Sequence, residues 1–361
     1  MTEDQPDLRL PDDTRADDLL TGLVERFSPS GREHAAVTYL VARMHDLGFR
    51  ATIDRVGNAV GELGDGGRTI LLLGHIDTVP GLIDVRRKGS VLYGRGTVDA
   101  KGPLAAFVCA ASRAGTQPGK RIVVIGAVEE EAATSKGSRH LLDRISPEAV
   151  IIGEPSGWDG ITVGYKGRLL VDYAYSRETG HTAGPGPSTC EEAVAFWQRV
   201  VNYVAEWNGL PTCGRTRMFD QLTPSLRRIR SEDDGFVQSV SMTLGFRLPP
   251  GADIDALQDA LVVMAKDAVL GFRGRELAFR ASRSTPLARA FIKAIRSAGA
   301  RAVFKVKSGT SDMNVVGPVW GCPIVAYGPG ESTLDHTPHE HIDLNEYHRT
   351  IDVLTMVLRD L

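Results

Sequence analysis

Four runs of consecutive apolar residues constrain the fold of this chain more than any other feature: Ile70–Leu73, Ile122–Ile125, Val150–Ile152 and Ile324–Tyr327. None alternates with polar residues, so none has a wet face. Such runs form strands buried on both sides of a sheet that helices cover. Helical stretches lie between them, such as Pro103–Ala114 and Ser135–Asp143. The alternation predicts an α/β sandwich. Two more helices precede the first run. One spans about Thr14–Phe27 and ends at SPSG, where Pro29 and Gly31 break it. The other spans about Glu33–Leu47 and stops at Gly48. The first ten or so residues read as a loose tail.

The middle of the chain has a different grammar. A strand-like stretch, Leu169–Tyr175, is followed by a helix with Val194, Trp197, Val201 and Val204 at helical spacing. Two strands follow, about Met218–Ile229 and Phe236–Arg247. In the second, Val240, Met242, Leu244 and Phe246 alternate with Ser241, Thr243, Gly245 and Arg247, giving one apolar and one polar face. A helix through Ile254, Leu257, Leu261 and Met264 leads to a strand near Glu276–Arg280. This β-α-β-β-α-β order is the split βαβ, ferredoxin-like unit. After Pro286 the α/β style returns: a helix at Leu287–Ser297, a strand at Ala302–Val306, the run at Ile324 and a last helix at Leu344–Leu358. The expected architecture is one α/β domain, residues 1–162 and 283–361, interrupted by a small inserted domain, residues 163–282.

Composition narrows the functional classes. With 361 residues the chain suits two domains. Lys and Arg number 42 against 45 Asp and Glu, a formal charge of −3, which argues against a nucleic-acid binder. No apolar run approaches the ~18–20 residues of a membrane span. The acidic, polar start resembles neither a signal nor a transit peptide. Cys109, Cys190, Cys213 and Cys322 are scattered without a CxxC pair, which suits a reducing cytoplasm.

Each buried strand hands over to His or a carboxylate. Gly74-His75-Ile76-Asp77 follows the first run, Glu129-Glu130-Glu131 the second and Gly153-Glu154-Pro155-Ser156 the third. The fourth is followed by GPGESTLDHTPHEH, with Asp335, His336, His339, Glu340 and His341. Asp99 sits in GRGTVDAKG just before a helix. Any one of these taken alone reads as a solvated loop residue. Together they gather at the carboxyl ends of the strands, where α/β sheets build their sites, and so many acids repel one another unless a cation is present. Two His with several carboxylates and no Cys suit zinc or a similar divalent ion. The surplus of ligands over one tetrahedral site suggests two ions, which together polarise a carbonyl and activate water. The Glu130-Glu131 pair can supply one ligand and one general base. Asp77, two residues from His75, is placed to orient its imidazole. GELGDGG (61–67) reads as a hairpin turn, GRGTVDAKG lacks phosphate-loop spacing, and no GxSxG elbow supports a serine hydrolase.

The motifs GHIDTVP, GRGTVDAKG, EEE, GEPS, GYKGRLL, GHTAGP, GTSDM and DHTPHEH resemble those of the dimetal aminoacylase and carboxypeptidase family, which includes acetylornithine deacetylase and succinyl-diaminopimelate desuccinylase. The resemblance covers nearly the whole chain. It implies a zinc-peptidase-like catalytic domain with an inserted dimerisation or lid domain. It implies two zinc (or cobalt) ions held by His75, Asp99, Glu131, Glu154 and His336, with Asp99 bridging and Asp77 orienting His75. Glu130 would be the general base; the alternative is a one-residue shift to Glu129 and Glu130. A cis peptide after Asp99 is also implied. His181 in GHTAGP matches an oxyanion-stabilising His that family dimers lend across their interface, or is a solvated loop residue. Arg247 matches a holder of the substrate carboxylate, or is a surface arginine. Gly309 and Thr310 resemble the loop that binds the substrate backbone.

Within that family, EEEAATSKGSRHL and IIGEPSGWDGITVGYKGRLL look most like the branch that releases lysine or ornithine from a small acidic amino-group carrier protein, the last step of lysine or arginine biosynthesis. A free N-acetyl-ornithine or N-acetyl-lysine deacetylase is the alternative, followed by a metallo-dipeptidase or carboxypeptidase. A non-catalytic binding protein would have lost the base or a ligand, and all are present. The carrier reading predicts a basic rim from Lys166, Arg168, Arg227, Arg228 and Arg230. A homodimer through the inserted domain is expected, with no nucleic-acid or membrane partner.

Overall fold

The computed structural model describes residues 12–181, 184, 186–209 and 217–361. The expected N-terminal tail lies almost wholly outside them. In chain order the elements are α1 (Asp13–Val24), α2 (His34–Asp46), β1 (Arg50–Ile53), β2 (Ala59–Leu63), β3 (Arg68–His75), β4 (Arg86–Lys88), β5 (Val91–Tyr93), α3 (Lys101–Ala114), β6 (Lys120–Ala127), α4 (Lys136–Leu141), β7 (Ala149–Gly153), β8 (Gly160–Tyr165) and β9 (Gly167–Glu178). There follow α5 (Thr189–Gly209), β10 (Thr223–Asp233), β11 (Val237–Leu248), α6 (Ile254–Ala265), β12 (Val269–Glu276), β13 (Phe279–Arg280), α7 (Pro286–Ser297), β14 (Val303–Lys307), α8 (Asp312–Trp320), β15 (Ile324–Ala326), β16 (His341–Asp343) and α9 (Leu344–Asp360). They divide into two units. Unit 1 is Met1–Gly164, Ala281–Val306 and Ser311–Leu361; unit 2 is Tyr165–Arg280 with Lys307–Thr310. The last segment, read from the sequence as part of the large domain, groups with unit 2. Among the described residues no helix is long and apolar enough to cross a membrane.

Unit 1 is built on a mixed sheet in the order β1-β2-β6-β3-β7-β15-β8, with β14 also paired to β8. The four apolar runs are its adjacent central strands β6, β3, β7 and β15, and all three of their pairings are parallel. Their side chains are buried almost without exception, as a sheet covered on both faces requires. Helices α3 and α9 supply much of the cover through Leu104, Phe107, Ile351 and Leu354.

One row of the sheet has no side chains. Gly74 lies in register with Gly126 on one side and Gly153 on the other. A Cβ at Gly74 or Gly126 would come within 3.3 Å of Leu104, and one at Gly153 within 2.9 Å of Phe107, both on α3. The bare row lets α3 lie close against the carboxyl ends of the strands. The segment leading into α3 carries Asp99, so this packing places Asp99 beside the residues that end β3, β6 and β7.

Unit 2 is a four-stranded antiparallel sheet in the order β10-β11-β9-β12. Helices α5 and α6 share its core, which includes Val171, Tyr173, Phe196, Val200, Leu244 and Leu261. The β-α-β-β-α-β order is the expected one, and Val240, Met242, Leu244 and Phe246 form the buried face of β11. Three details differ from expectation. The buried stripe of α5 is Ala193, Phe196, Val200 and Val204, while Val194 is 60% exposed. Phe196 sets this face by stacking on Tyr173 at 4.8 Å. Met218–Asp220 is a short 3₁₀ turn before β10. The strand expected near Glu276–Arg280 is the short β13, and the fourth strand of this sheet in chain order is the earlier β12. Its apolar pattern is thinned by Gly271 and by Gly274, which sits at φ +62° where the pairing with β9 slips.

Candidate metal centre

The centre is assembled in unit 1. At the end of β3, His75 is 2% exposed and its Nδ1 lies 2.9 Å from the backbone oxygen of Asp77. A carbonyl only accepts, so the imidazole donates there and turns Nε2 into the site. Nε2 lies 3.3 Å from Asp99 Oδ1 and 4.0 Å from Glu154 Oε1. Asp77 thus meets His75 Nδ1 through its main chain, with its carboxylate 3.6 Å from the same nitrogen. The Asp77 carboxylate has another task. Oδ1 accepts from Glu130 N–H at 3.0 Å, and Oδ2 accepts from Glu131 N–H at 3.1 Å and from Ser30 Oγ at 2.6 Å. It fixes the turn that presents both glutamates.

Asp99 precedes α3, and its peptide bond to Ala100 is cis. While Oδ1 faces His75, Oδ2 lies 2.8 Å from His336 Nε2. The same Nε2 is 2.9 Å from Glu131 Oε1. Asp99 thus stands between the two imidazoles, and donor atoms of His75, Asp99 and Glu131 all lie within 4.8 Å of one another. Glu129 takes no part: its carboxylate is held by Thr134 Oγ1 at 2.7 Å and by Lys136 at 3.3 Å. His339 and His341 bond within their own loop, His341 Nδ1 donating to the His339 carbonyl at 2.7 Å.

The electrostatics are those of an acid cluster with too little positive charge. Burial pushes the Glu130 carboxyl well above its ordinary range, with Glu154, Asp312 and Glu131 adding to the rise. Burial and Asp99 push Glu131 up to about 7. Burial would raise Asp99 too, but His336 and His75 hold it far below the usual carboxylate range. Hydrogen bonds to Asp99 and Glu131 raise His336 to about 11. Burial opposes charge on His75, yet the carboxylates of Asp77, Asp99 and Glu130 hold its pKa well above the ordinary value. A divalent cation removes this conflict, because it replaces the protons that the imidazoles and acids now share. The nitrogen and oxygen donors, without sulfur, suit zinc and its borderline neighbours. The residues present fit such a metal centre.

The remaining candidates lie in unit 2. Arg247 Nη1 donates to Thr310 Oγ1 at 2.8 Å, and Thr310 Oγ1 donates to the Lys166 carbonyl at 3.1 Å. Gly309 is half-buried beside them. His181 is exposed and its carbonyl accepts from Gly184 N–H at 2.7 Å; Thr182, Ala183 and Pro185 of GHTAGP lie outside the described residues. The expected basic rim shrinks. Lys166 is fully buried, with Nζ donating to Met218 O, Gln221 O and Thr223 Oγ1, and burial lowers its pKa to about 8. Arg168 pairs with Glu276 at 3.0 Å. Arg227, Arg228 and Arg230 remain exposed on the edge strand β10.

Sequence reasoning gave no role to Ser30, Asn58 or Asp312. Asn58 is buried and joins both ends of the glutamate turn: Oδ1 accepts from Val128 N–H at 3.0 Å and Nδ2 donates to Gly137 O at 3.1 Å. Asp312 is 3% exposed, and burial raises it to about 6. Only SDM following SGT in the sequence pointed toward it.

Comparison with known proteins agrees with this geometry. Residues 71–360 match Peptidase family M20/M25/M40. A relative from Deinococcus radiodurans, named LysW-lysine hydrolase, is 44% identical over 97% of this chain and 98% of its own length. One from Saccharolobus islandicus, named LysW-lysine/LysW-ornithine hydrolase, is 27% identical over 96% of each chain. Among solved structures, the M20 family metallo-carboxypeptidase Sso-CP2 from Sulfolobus solfataricus superposes with a TM-score of 0.77 at 18% identity, covering 95% of this chain and 98% of that one. The chain belongs to peptidase family M20/M25/M40 and is a metal-dependent amide hydrolase.

Proposed function

We propose that the protein releases lysine, or lysine and ornithine, from the C-terminal glutamate of an amino-group carrier protein, as the last step of lysine or arginine biosynthesis. One observation carries the reading: 44% identity, over nearly the full length of both chains, to a protein named LysW-lysine hydrolase. The clustered His75, Asp99, Glu131 and His336 support its catalytic competence.

In this reading His75, Asp99 and Glu154 hold one divalent ion, and Asp99, Glu131 and His336 hold a second, zinc or cobalt. When bound, the ions polarise the scissile carbonyl and lower the pKa of water. Glu130 takes the proton of the attacking water and returns it to the leaving α-amine. Asp77 keeps Glu130 in place through the Glu130 N–H. By resemblance, His181 stabilises the tetrahedral oxyanion. Arg247, Gly309 and Thr310 hold the substrate carboxylate and backbone, a fork suited to bidentate pairing. A homodimer through unit 2 and a cytoplasmic setting belong to the same reading. The outward Val262 and Val263 of α6, 52% and 79% exposed, suit such an interface.

The test is amino-acid release by zinc- or cobalt-loaded protein offered lysine-charged carrier, ornithine-charged carrier, N-acetyl-lysine and N-acetyl-ornithine, with Glu130→Gln as control. Lysine freed from the carrier, and lost in the variant, is expected. Turnover of the acetylated amino acids alone would overturn the carrier reading in favour of a deacetylase.

A further inference from the structure

We propose that the buried Arg95–Glu340 pair is a positioning unit of the metal centre, clamping the loop of Asp99 to the loop of His336. The inference rests on the reading of those two residues as ligands.

Glu340 is fully buried and Arg95 is 6% exposed. Glu340 Oε1 accepts from the backbone N–H groups of Gly96 at 3.0 Å, Val98 at 2.9 Å and Asp99 at 3.0 Å. Its Oε2 accepts from Arg95 Nη1 at 2.8 Å, and its own carbonyl accepts from Gly94 N–H at 3.3 Å. One residue thus gathers Gly94, Gly96, Val98 and Asp99. A carboxylate oxygen that takes three N–H groups from one short stretch shapes the chain around it. Arg95 carries the link outward. Its Nη1 also donates to Thr337 O at 3.2 Å, and its Nε donates to Gly81 O at 3.0 Å. Three segments meet in this pair: the loop after His75, the loop that ends at Asp99, and the loop that carries His336.

The His336 end needs such a tie. His336 has φ +61°, which a side chain rarely adopts. Such a residue persists only where its surroundings over-determine it. The carbonyl of the very next residue is the one Arg95 holds. A buried ion pair is weak evidence for stability, since apolar residues of similar volume often serve as well. The pairing here is specific in another way. All four of the gathered N–H groups belong to the loop of one ligand, and the Thr337 carbonyl lies beside another. Neither charged side chain needs to touch metal to decide whether Asp99 faces both His75 and His336.

The test compares Glu340→Gln and Arg95→Lys with Val353→Ala, a buried residue of α9 that lies in none of these three loops. Three quantities are read: zinc affinity by competition with a chromophoric chelator, kcat and KM separately, and the unfolding midpoint in excess chelator. Glu340→Gln is expected to lose about 10- to 100-fold in affinity for at least one ion and in kcat, with KM changed less than about twofold. Arg95→Lys keeps the charge but not the fork, and should fall between. Val353→Ala should lower the midpoint and leave zinc affinity unchanged. Wild-type affinity in Glu340→Gln would overturn the proposal, as would an equal loss in Val353→Ala. If Glu340→Gln fails to fold without metal, wild-type affinity in Arg95→Lys overturns it alone. A wild-type protein that binds no divalent ion would overturn the metal reading and this inference with it.

Discussion

Replacing Asp77 by Asn tests how far the centre depends on a residue whose carboxylate is spent on the glutamate turn. Three donors converge on that carboxylate: the N–H groups of Glu130 and Glu131 and the hydroxyl of Ser30. Asn keeps the shape but offers one acceptor oxygen. Its NH₂ group must then face the Glu130 N–H, or face the Glu131 N–H together with Ser30. Either way at least one buried N–H of the turn loses its partner, at a cost of about 1–3 kcal/mol, and the bond that survives is no longer charge-assisted. We take about 2–4 kcal/mol in total, most of it falling on the turn that carries base and ligand. At 1.36 kcal/mol per decade this is roughly a 30- to 1,000-fold loss in kcat/KM. The backbone carbonyl of residue 77 is untouched, so the hydrogen bond to His75 should survive. The assay is kcat/KM at saturating zinc, with bound metal counted in parallel by atomic absorption. Ser30→Ala, which removes only the hydroxyl donor, should cost less than about tenfold. A loss below about threefold in Asp77→Asn with the full metal complement would refute the view that this carboxylate holds the glutamate turn.

Glu130→Gln should lower kcat by about 10²–10⁴-fold while retaining metal, as expected for a proton carrier that is not a ligand; loss of zinc in a binding titration would show it to be a ligand instead. Metal-free protein should lose stability as pH rises. The folded pKa of His336 is raised to about 11 against roughly 6.5 unfolded, so its contribution is complete below about pH 6.5 and fades toward 11. Glu131, raised to about 7 by burial, pushes the same way between its unfolded value and pH 7. Thermal melts in excess chelator check the trend, and zinc affinity should run opposite, rising with pH as the shared protons leave. Gly137→Ala should destabilise by about 1–3 kcal/mol in denaturant titration and depress activity, because the new Cβ would meet Asn58 Oδ1 at 2.5 Å and Val128 N at 2.6 Å.

The parts of the site visible in the sequence were those carried by local pattern. A strand buried on both faces ends where polar residues begin, so His75, the Glu129–Glu131 run and Glu154 stand out where the apolar runs stop. Alternation along β11 disclosed the inserted sheet in the same way. What stayed hidden depends on partners distant in the chain. Lys166 reads as an exposed charge until Met218, Gln221 and Thr223 supply three oxygen acceptors more than fifty residues away. Arg95 and Glu340 are 245 positions apart, and neither has meaning without the other. Strand β12 was hidden by its glycines, which weaken the apolar signal without preventing pairing. The bonds that Thr134 and Lys136 make to the Glu129 carboxylate likewise have no local signal in the sequence.

The glycine row across β6, β3 and β7 carries a lesson for anyone mapping this protein by mutation. Gly74, Gly126 and Gly153 bind nothing and titrate nothing, yet each gives up its side-chain volume to Leu104, Leu40 or Phe107. An added methyl would press on Phe107 at 2.9 Å when placed on Gly153, and on Leu104 or Leu40 at 3.0–3.3 Å when placed on Gly74 or Gly126. A scan scored by turnover alone would therefore flag three inert positions as if they did chemistry. Growth-based selection would find them intolerant for a reason no inhibitor or substrate analogue could reveal. The signature that sets them apart is that the lesion is mechanical: restoring room elsewhere, by trimming Leu104 or Phe107 on the helix, should recover activity that no change among the metal-facing residues can restore.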